Sequence, residues 1–224
     1  MDVMTSKDYK LLRAERLDSL FKTLGFHGLD GSRWLMTNDL GDTARVKARR
    51  VRSDVTSGVH FVLDIDVYVK PWTEWTGKHD FPREREPVSG GSAIPMFSNK
   101  FTPAPFDSSN EGAWHVVDAL SADAIARDIK DRFPREVMPY IERVMSRDTL
   151  LDWLRHCRSL SADKESAWYP LGGATGCLAC LLTEYGPSRE LDDLIAEMRQ
   201  RLGDSIEPHV EWLDTRSLAH SPIE

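Results

Sequence analysis

The sequence predicts an α+β fold: an antiparallel sheet of four or five strands, an N-terminal helix and a helical C-terminal portion. Three observations lead to this prediction. Apolar residues alternate between Gly58 and Val69, which is the period of a strand. Short turns join this segment to two strand-like segments before it, which favours antiparallel pairing. Beyond Val117 the apolar residues recur at helical spacing instead.

The segment GVHFVLDIDVYV, residues 58–69, is predicted to be the central strand. The alternate apolar positions that would share one face are Val59, Phe61, Leu63, Ile65, Val67 and Val69. The opposite face carries His60, Asp64 and Asp66 and is predicted to be more polar. Burial of a large apolar side chain contributes about 1.5–3 kcal/mol, so we expect the apolar face to be covered.

One helix and two strands are predicted before the central strand. Apolar residues at helical spacing predict a helix from Ser6 to Leu24. Gly25 is expected to adopt the left-handed conformation that ends helices, and Phe26 to pack behind it. Two strands are expected next, Arg33–Thr37 and Thr43–Arg52.

After the central strand the composition changes. Pro71 is predicted to end the strand and to begin a long irregular loop at 71–113, rich in proline and aromatic residues. Aromatic side chains such as Trp72 and Trp75 either pack beneath such a loop or await a partner. Trp114 to Val117 are expected to form the last strand.

Helices are predicted from there to the C-terminus. The signals for their ends are Ser121 as an N-cap, Pro134 as an interruption, Pro139 in a first turn, Asp148 as a start, a Gly186-Pro187 turn between two paired helices, Ser188 as an N-cap, Gly203 as a stop, and a short last helix at Pro208–Leu213. The predicted domain organisation is therefore a sheet domain at 1–145 and a helical portion at 146–224 packed on it.

Composition and charge restrict the class of protein. The 224 residues carry a formal net charge of −7 and only three cysteines. The polar start and the lack of a long apolar run predict no signal peptide and no membrane span, hence a cytoplasmic location. From Glu184 to Glu224 ten acidic residues stand against four basic ones, a balance of −6. This acidity either attracts a basic partner or only solvates a helical face.

Several groups of residues could carry chemistry, and each has a structural alternative. His60, Asp64 and Asp66 are suited to a metal or to acid–base work. His60 and Asp64, however, would lie about 13 Å apart along a strand. We therefore favour a solvated sheet face, on which the aspartates pair with Arg45, Lys47 or Arg49 of the preceding strand. The basic run from Arg45 to Arg52 is interpreted as the charge of an edge strand, and nucleic-acid binding as its alternative.

The cysteine pair and the glycine-rich segment are also given structural interpretations. Cys177 and Cys180 lie in the apolar run CLACLL and are expected to be buried thiols of a helix rather than a zinc or redox site. The segment LGGATG, residues 171–176, lacks the lysine of a phosphate loop. It is expected to allow close packing at the start of a helix.

Four segments resemble a family of uncharacterised bacterial proteins that is described only as a domain of unknown function. They are LFKTLGF, RWLM, VHFVLDIDVYV and VMPYIERVMSRDTLLDWL. The resemblance covers about residues 10–155. It implies an α+β fold and brings no catalytic motif. Some similar small acidic proteins act as immunity proteins of toxin systems, so the resemblance implies an inhibitor of that kind.

These observations together lead to a functional hypothesis. We expect a non-enzymatic binding protein, most concretely an immunity protein that neutralises a bacterial toxin by direct binding, with no cofactor and no bound metal. The expected partner is a basic toxin domain rather than nucleic acid or a membrane. The residues expected to contact it are Trp72, Trp75, Asp192, Asp193 and Glu197. The alternatives are a small metal- or thiol-dependent enzyme and a general protein-interaction scaffold.

Overall fold

The computed structural model describes residues 2–52, 58–78, 86–88, 91–104, 112–160 and 169–220. Its α-helices are α1 (Asp2–Leu11), α2 (Asp18–Thr23), α3 (Lys70–Lys78), α4 (Ala119–Glu136), α5 (Met138–Val144), α6 (Arg147–Ser159), α7 (Ala174–Leu182), α8 (Arg189–Leu202) and α9 (Glu207–Leu218). A π-helix (Leu12–Leu17) joins α1 to α2, and 3₁₀ turns follow α7 (Thr183–Tyr185) and α8 (Gly203–Ile206). The strands are β1 (His27–Gly28), β2 (Arg33–Thr37), β3 (Thr43–Val51), β4 (Val59–Tyr68), β5 (Glu86–Val88), β6 (Gly91–Ala93), β7 (Phe97–Phe101) and β8 (Trp114–Val116).

The α+β fold class is confirmed. Six strands form the main sheet, in the order β1-β2-β3-β4-β7, and β8 also pairs with β4. Adjacent strands at the start are antiparallel, with Trp34 opposite Val46, and β8 is antiparallel to β4, with His115 opposite His60. The predicted strand at 33–37 has the predicted bounds, and the central strand lies between neighbours on both sides. The sheet has one strand more than the larger number expected.

Both faces of β4 are covered, which corrects the prediction of a polar open face. Phe61, Leu63 and Ile65 are buried on one side, as expected. On the other side His60 is only 4% exposed and Asp66 only 6%. The physical reason is that Arg45 of β3 neutralises Asp66, so that a charged position can be buried.

The N-terminal helix ends as predicted. Gly25 has a φ of 88°, in the left-handed region that glycine adopts without steric cost. The N–H of Phe26 donates to the carbonyl of Phe21 and the N–H of Gly25 to that of Lys22, at 2.9 and 3.1 Å. The Phe26 ring also packs against the Phe21 ring, with centroids 5.9 Å apart. These contacts define a Schellman motif with its hydrophobic contact.

The chain divides into two compact units. The first comprises Met1–Asp39, Thr43–Asp66 and Asn99–Arg143. The ring of Phe21 lies at its centre, with ring centroids 4.7 Å from Trp34 and 5.1 Å from Phe133. The N-terminal helix and α4 therefore share one aromatic core with the sheet.

The second unit comprises Leu40–Asp42, Val67–Ser98 and Val144–Glu224. Helix α7 is its centre, because α3, α6, α8 and α9 all contact α7. Cys177 and the next five residues of α7 are all buried, which is typical of a helix that is apolar on every side. The segment 67–98 therefore groups with the C-terminal helices, although the sequence-based division assigned it to the sheet domain.

The predicted irregular loop at 71–113 is wrong, because most of helix α3 and the strands β5, β6 and β7 lie within it. Helix α3 follows β4 after one residue, and Pro71 lies in the first turn of α3. Proline is tolerated there because an N–H group in the first turn of a helix has no acceptor within the helix, so its absence costs no hydrogen bond. Parts of the predicted loop, including 79–85 and 105–111, lie outside the described residues.

Two predicted helix signals are corrected. Pro134 lies inside α4 rather than interrupting it, because the buried stripe of Ile129 and Phe133 continues through this position. The N-cap of α4 is Asp118 rather than Ser121. Ser121 is the third residue of a capping box, donating its N–H to Asp118 at 2.8 Å. Pro139 does lie in the first turn of α5, as predicted.

Candidate protein-binding surface

Helix α8 carries the acidic residues that the sequence analysis selected. It begins at the predicted N-cap, where Ser188 Oγ accepts a hydrogen bond from the N–H of Leu191 at 3.2 Å. Its buried stripe, which faces the rest of the second unit, is Leu191, Leu194, Ile195 and Met198. The spacing of this stripe leaves the opposite side of α8 exposed.

Asp192 and Asp193 lie on that exposed side. Both residues are exposed, and neither forms an ion pair or a side-chain hydrogen bond with any residue that the structure describes. Asp192 also lies in the first turn of α8, where the helix dipole stabilises a negative charge. These two carboxylates are therefore fixed in place by a rigid helix and remain available to a cation from outside.

Glu197 is in a different situation, although it lies on the same helix. Its carboxylate accepts hydrogen bonds from Arg158 at 2.6 Å and Thr175 at 3.0 Å, and it pairs with Arg201 at 3.3 Å. Partial burial would raise the pKa of Glu197, but Arg158 and Thr175 outweigh that effect and hold it below its ordinary value. Glu197 therefore holds α8 to α6 and α7, and we withdraw it from the residues expected to contact a partner.

Glu190 shows the same kind of internal pairing. Arg155 of α6 binds it through two hydrogen bonds of 2.9 and 2.8 Å, which lower the pKa of Glu190. The acidic residues of α8 thus fall into two classes. Glutamates on the side of α8 towards α6 are neutralised internally, and the exposed aspartates are not.

Trp72 and Trp75 cannot serve as exposed anchors in this structure. Both lie on α3 and are buried, with 2% and 5% of their surface exposed. Their rings pack together with centroids 5.0 Å apart, and Trp75 also meets the ring of His209 edge-on at 5.2 Å. The alternative interpretation, packing within the protein, is therefore the correct one for both residues. The two indole rings pack inside the protein because removing large apolar rings from water is favourable.

Close packing also explains the glycine-rich segment. A Cβ at Gly172 would overlap the indole ring of Trp72, so only glycine fits there without a shift. Gly173 has a φ of 78° and is the N-cap of α7. The expectation of close packing at the start of a helix is confirmed.

The cysteines are placed where chemistry is disfavoured. Cys157, Cys177 and Cys180 are all free thiols and all buried. Burial raises the pKa of each, most strongly for the two of α7. A thiol in such surroundings stays protonated at neutral pH, and the protonated form is a poor nucleophile.

The acidic residues of β4 are paired with arginines of β3, as expected from the sequence. Arg45 contacts Asp66 at 2.7 Å, and Arg49 contacts Asp64 at 2.5 Å. However, β3 lies between β2 and β4 and is not an edge strand. The interpretation of its basic residues as edge-strand charge is therefore wrong, because at least two of them neutralise the neighbouring strand.

A buried charge network in the second unit has no sequence signal. Arg147 at the start of α6 contacts Asp42 at 2.5 Å and Glu184 at 2.7 Å. Burial would lower the pKa of Arg147, but the hydrogen bonds that it donates to these two carboxylates raise it. Asp42 also accepts from the N–H of Lys70 at 2.8 Å. These residues are far apart in the chain, so no local pattern could reveal the pairing.

Within the part of the chain that the structure describes, no three residues of the types His, Cys, Asp and Glu are grouped so as to hold a metal ion. None of the described helices has the length and apolar character needed to cross a membrane. The acidic surface of α8 is thus the candidate site that the geometry retains.

Comparison of the chain with known protein families, curated proteins and solved structures found no match. The resemblance to a family of uncharacterised bacterial proteins therefore stays a prediction.

Proposed function

We propose that this protein is a non-enzymatic binding protein for a basic protein partner, most concretely an immunity protein that neutralises a toxin by direct binding in the cytoplasm. The observation that supports the proposal is the pair of exposed carboxylates, Asp192 and Asp193, which no described residue neutralises. Nucleic acid and membranes are poor partners for such a surface, because both carry negative charge.

The neighbouring side chains strengthen this proposal. Glu190 and Glu197 are neutralised within the molecule, so they give α8 rigidity without contributing free charge. A rigid helix that presents two adjacent carboxylates loses little conformational entropy when it binds. Such charges act mainly on the association rate, because they attract an oppositely charged partner over a Debye length of about 8 Å.

The test uses charge reversal of this pair. The candidate partner is the protein encoded next to the gene of this chain, and the variant is Asp192→Lys with Asp193→Lys. We expect the association rate, measured by surface plasmon resonance at low salt, to fall about tenfold and to depend less steeply on salt concentration. Co-expression should also protect cells less well with this variant than with the unchanged protein.

A matched control is available in the first unit. Asp131 and Glu142 are exposed on α4 and α5, and their reversal to lysine changes the net charge by the same amount. The association rate of this control should stay within about twofold of that of the unchanged protein, because its altered charges do not lie on α8. Equal association rates for both double variants would contradict the α8 surface, and an adjacent protein that does not bind would contradict the immunity role.

A further inference from the structure

A second charged site lies in the first unit, around the buried Tyr9. The side chain of Tyr9 is fully buried and its ring packs on that of Phe61 of β4, with centroids 5.3 Å apart. Two guanidinium groups lie over the same ring. The central carbon of Arg13 is 4.8 Å from the ring centroid, and that of Arg50 is 4.9 Å from it. Tyr9 of α1 therefore meets the guanidinium groups of Arg13, from the π-helix, and Arg50, from β3.

Neither cation has a carboxylate partner among the residues that the structure describes. Arg50 differs in this from two other arginines of β3. Arg45 is paired with Asp66, and Arg49 is paired with Asp64. Two positive charges against one aromatic ring repel each other, and the ring offsets this only in part. An anion that contacts both Arg13 and Arg50 would offset the repulsion.

Two buried polar atoms at this site also lack a partner. Tyr9 Oη and Arg13 Nε are out of contact with solvent and have no partner in good hydrogen-bond geometry. Burial raises the pKa of Tyr9, and the guanidinium groups of Arg13 and Arg50 near the hydroxyl oppose that rise. Native proteins rarely leave buried donors unsatisfied, and those that remain often mark the place of a ligand. Arg13 Nε can only donate, and Tyr9 Oη can donate through its hydrogen, so one acceptor would satisfy both atoms.

The backbone is unusual at the same place. Arg13 lies in the π-helix Leu12–Leu17, and its carbonyl accepts the N–H of Asp18, five residues further on. Such turns are rare inside α-helices and are frequently found at functional sites. Arg50 occupies an exposed position of β3, so this member of the group faces solvent while Tyr9 is buried.

We propose that Tyr9, Arg13 and Arg50 form a binding site for a phosphate group. Tyr9 Oη and Arg13 Nε donate hydrogen bonds to its oxygens, and Arg50 adds a second positive charge. A phosphate monoester carries about −1.5 to −2 charges at neutral pH, which matches two arginines better than a carboxylate does. This site is distinct from the acidic surface of α8 and does not depend on the proposed function.

The test is an NMR titration of the ¹⁵N-labelled full chain at constant ionic strength. The probes are inorganic phosphate, phenyl phosphate and acetate. We expect saturable shifts of the Tyr9, Arg13 and Arg50 amides with millimolar phosphate. Tighter binding of phenyl phosphate would assign the site to an esterified phosphate, and tighter binding of inorganic phosphate to the free ion.

Three variants complete the test. Tyr9→Phe removes only the hydroxyl and Arg50→Gln removes an exposed charge; each should weaken phosphate binding about tenfold. Arg127→Gln, an exposed arginine of α4, is the control and should change binding less than twofold. No saturable shift, acetate binding as tight as phosphate, or equal binding by Arg50→Gln and the control would overturn the proposal. Arg50→Gln keeps the test decisive if Tyr9→Phe does not fold.

Discussion

Asp64 and Asp66 both lie on β4, but their surroundings differ. The pair of Arg45 and Asp66 is buried, with side chains 5% and 8% exposed. In the second pair the side chain of Arg49 is 39% exposed and that of Asp64 is 16% exposed. A buried ion pair is costly to break from one side, because the remaining charge has no water to solvate it.

This difference gives a prediction for two single substitutions. Asp66→Asn should lower the free energy of unfolding by about 3–5 kcal/mol, since it leaves Arg45 charged and buried. Asp64→Asn, the matched control, should cost only about 0–1 kcal/mol, because Arg49 stays accessible to water. Urea denaturation of both variants measures the two values. Equal losses would contradict the assignment of Asp66 to a buried pair.

At the scale of elements, the contact between α3 and the start of α7 illustrates how packing depends on one missing side chain. The Trp72 indole occupies the space that a Cβ at Gly172 would need. Gly77, on the same helix as Trp72, has nothing within 4 Å of the place where its Cβ would lie. The two glycines therefore have opposite roles.

We expect Gly172→Ala to destabilise the protein by about 1–3 kcal/mol, because the indole or the turn must move. Gly77→Ala is the control and should stabilise α3 by about 0.5–1 kcal/mol, through the better helix propensity of alanine. The midpoints of chemical denaturation, followed by tryptophan fluorescence, measure both. A Gly172→Ala variant as stable as the unchanged protein would contradict this close contact between Gly172 and Trp72.

The bounds of several elements could be predicted from local signals alone. Gly25, Ser188 and Gly203 are correct helix signals, because each satisfies or ends the backbone hydrogen bonds of its own helix. Pro71 and Pro134 misled the prediction. Each proline is accommodated by its position in a helix that tertiary packing stabilises, and packing is invisible in a local pattern.

For the whole molecule, the carboxylates in ion pairs determine how stability depends on pH. Hydrogen bonds from Arg33, the largest effect, and from Ser32 lower the pKa of Asp30 to about 2. The pKa values of Glu190 and Glu197 are also lowered. A carboxylate whose pKa is lower in the folded state stabilises the fold above its unfolded pKa, and this contribution disappears as the pH falls through the folded pKa.

The expected result is a free energy of unfolding that declines steadily between about pH 5 and pH 2. Denaturation at several pH values measures it, and an NMR titration of the Asp30 carboxyl should give a pKa near the value of about 2. Asp30→Asn serves as the control. The free energy of unfolding of this variant should be lower than that of the unchanged protein at pH 5, and the two values should be nearly equal at pH 2. If the free energies of unfolding of the two proteins differ by the same amount from pH 5 to pH 2, the pKa of Asp30 is not lowered by folding.

The sequence by itself determined the α+β class, the meander that leads into the central strand and the buried cysteines of α7. These features follow from hydrophobic period and from turn residues, which act over a few neighbours. Only the tertiary structure decided that Trp72 and Trp75 are buried, that Glu197 is neutralised, and that the Tyr9 ring meets two arginines that no described carboxylate pairs with. Exposure and charge pairing depend on residues brought together from distant parts of the chain, so no local pattern contains them.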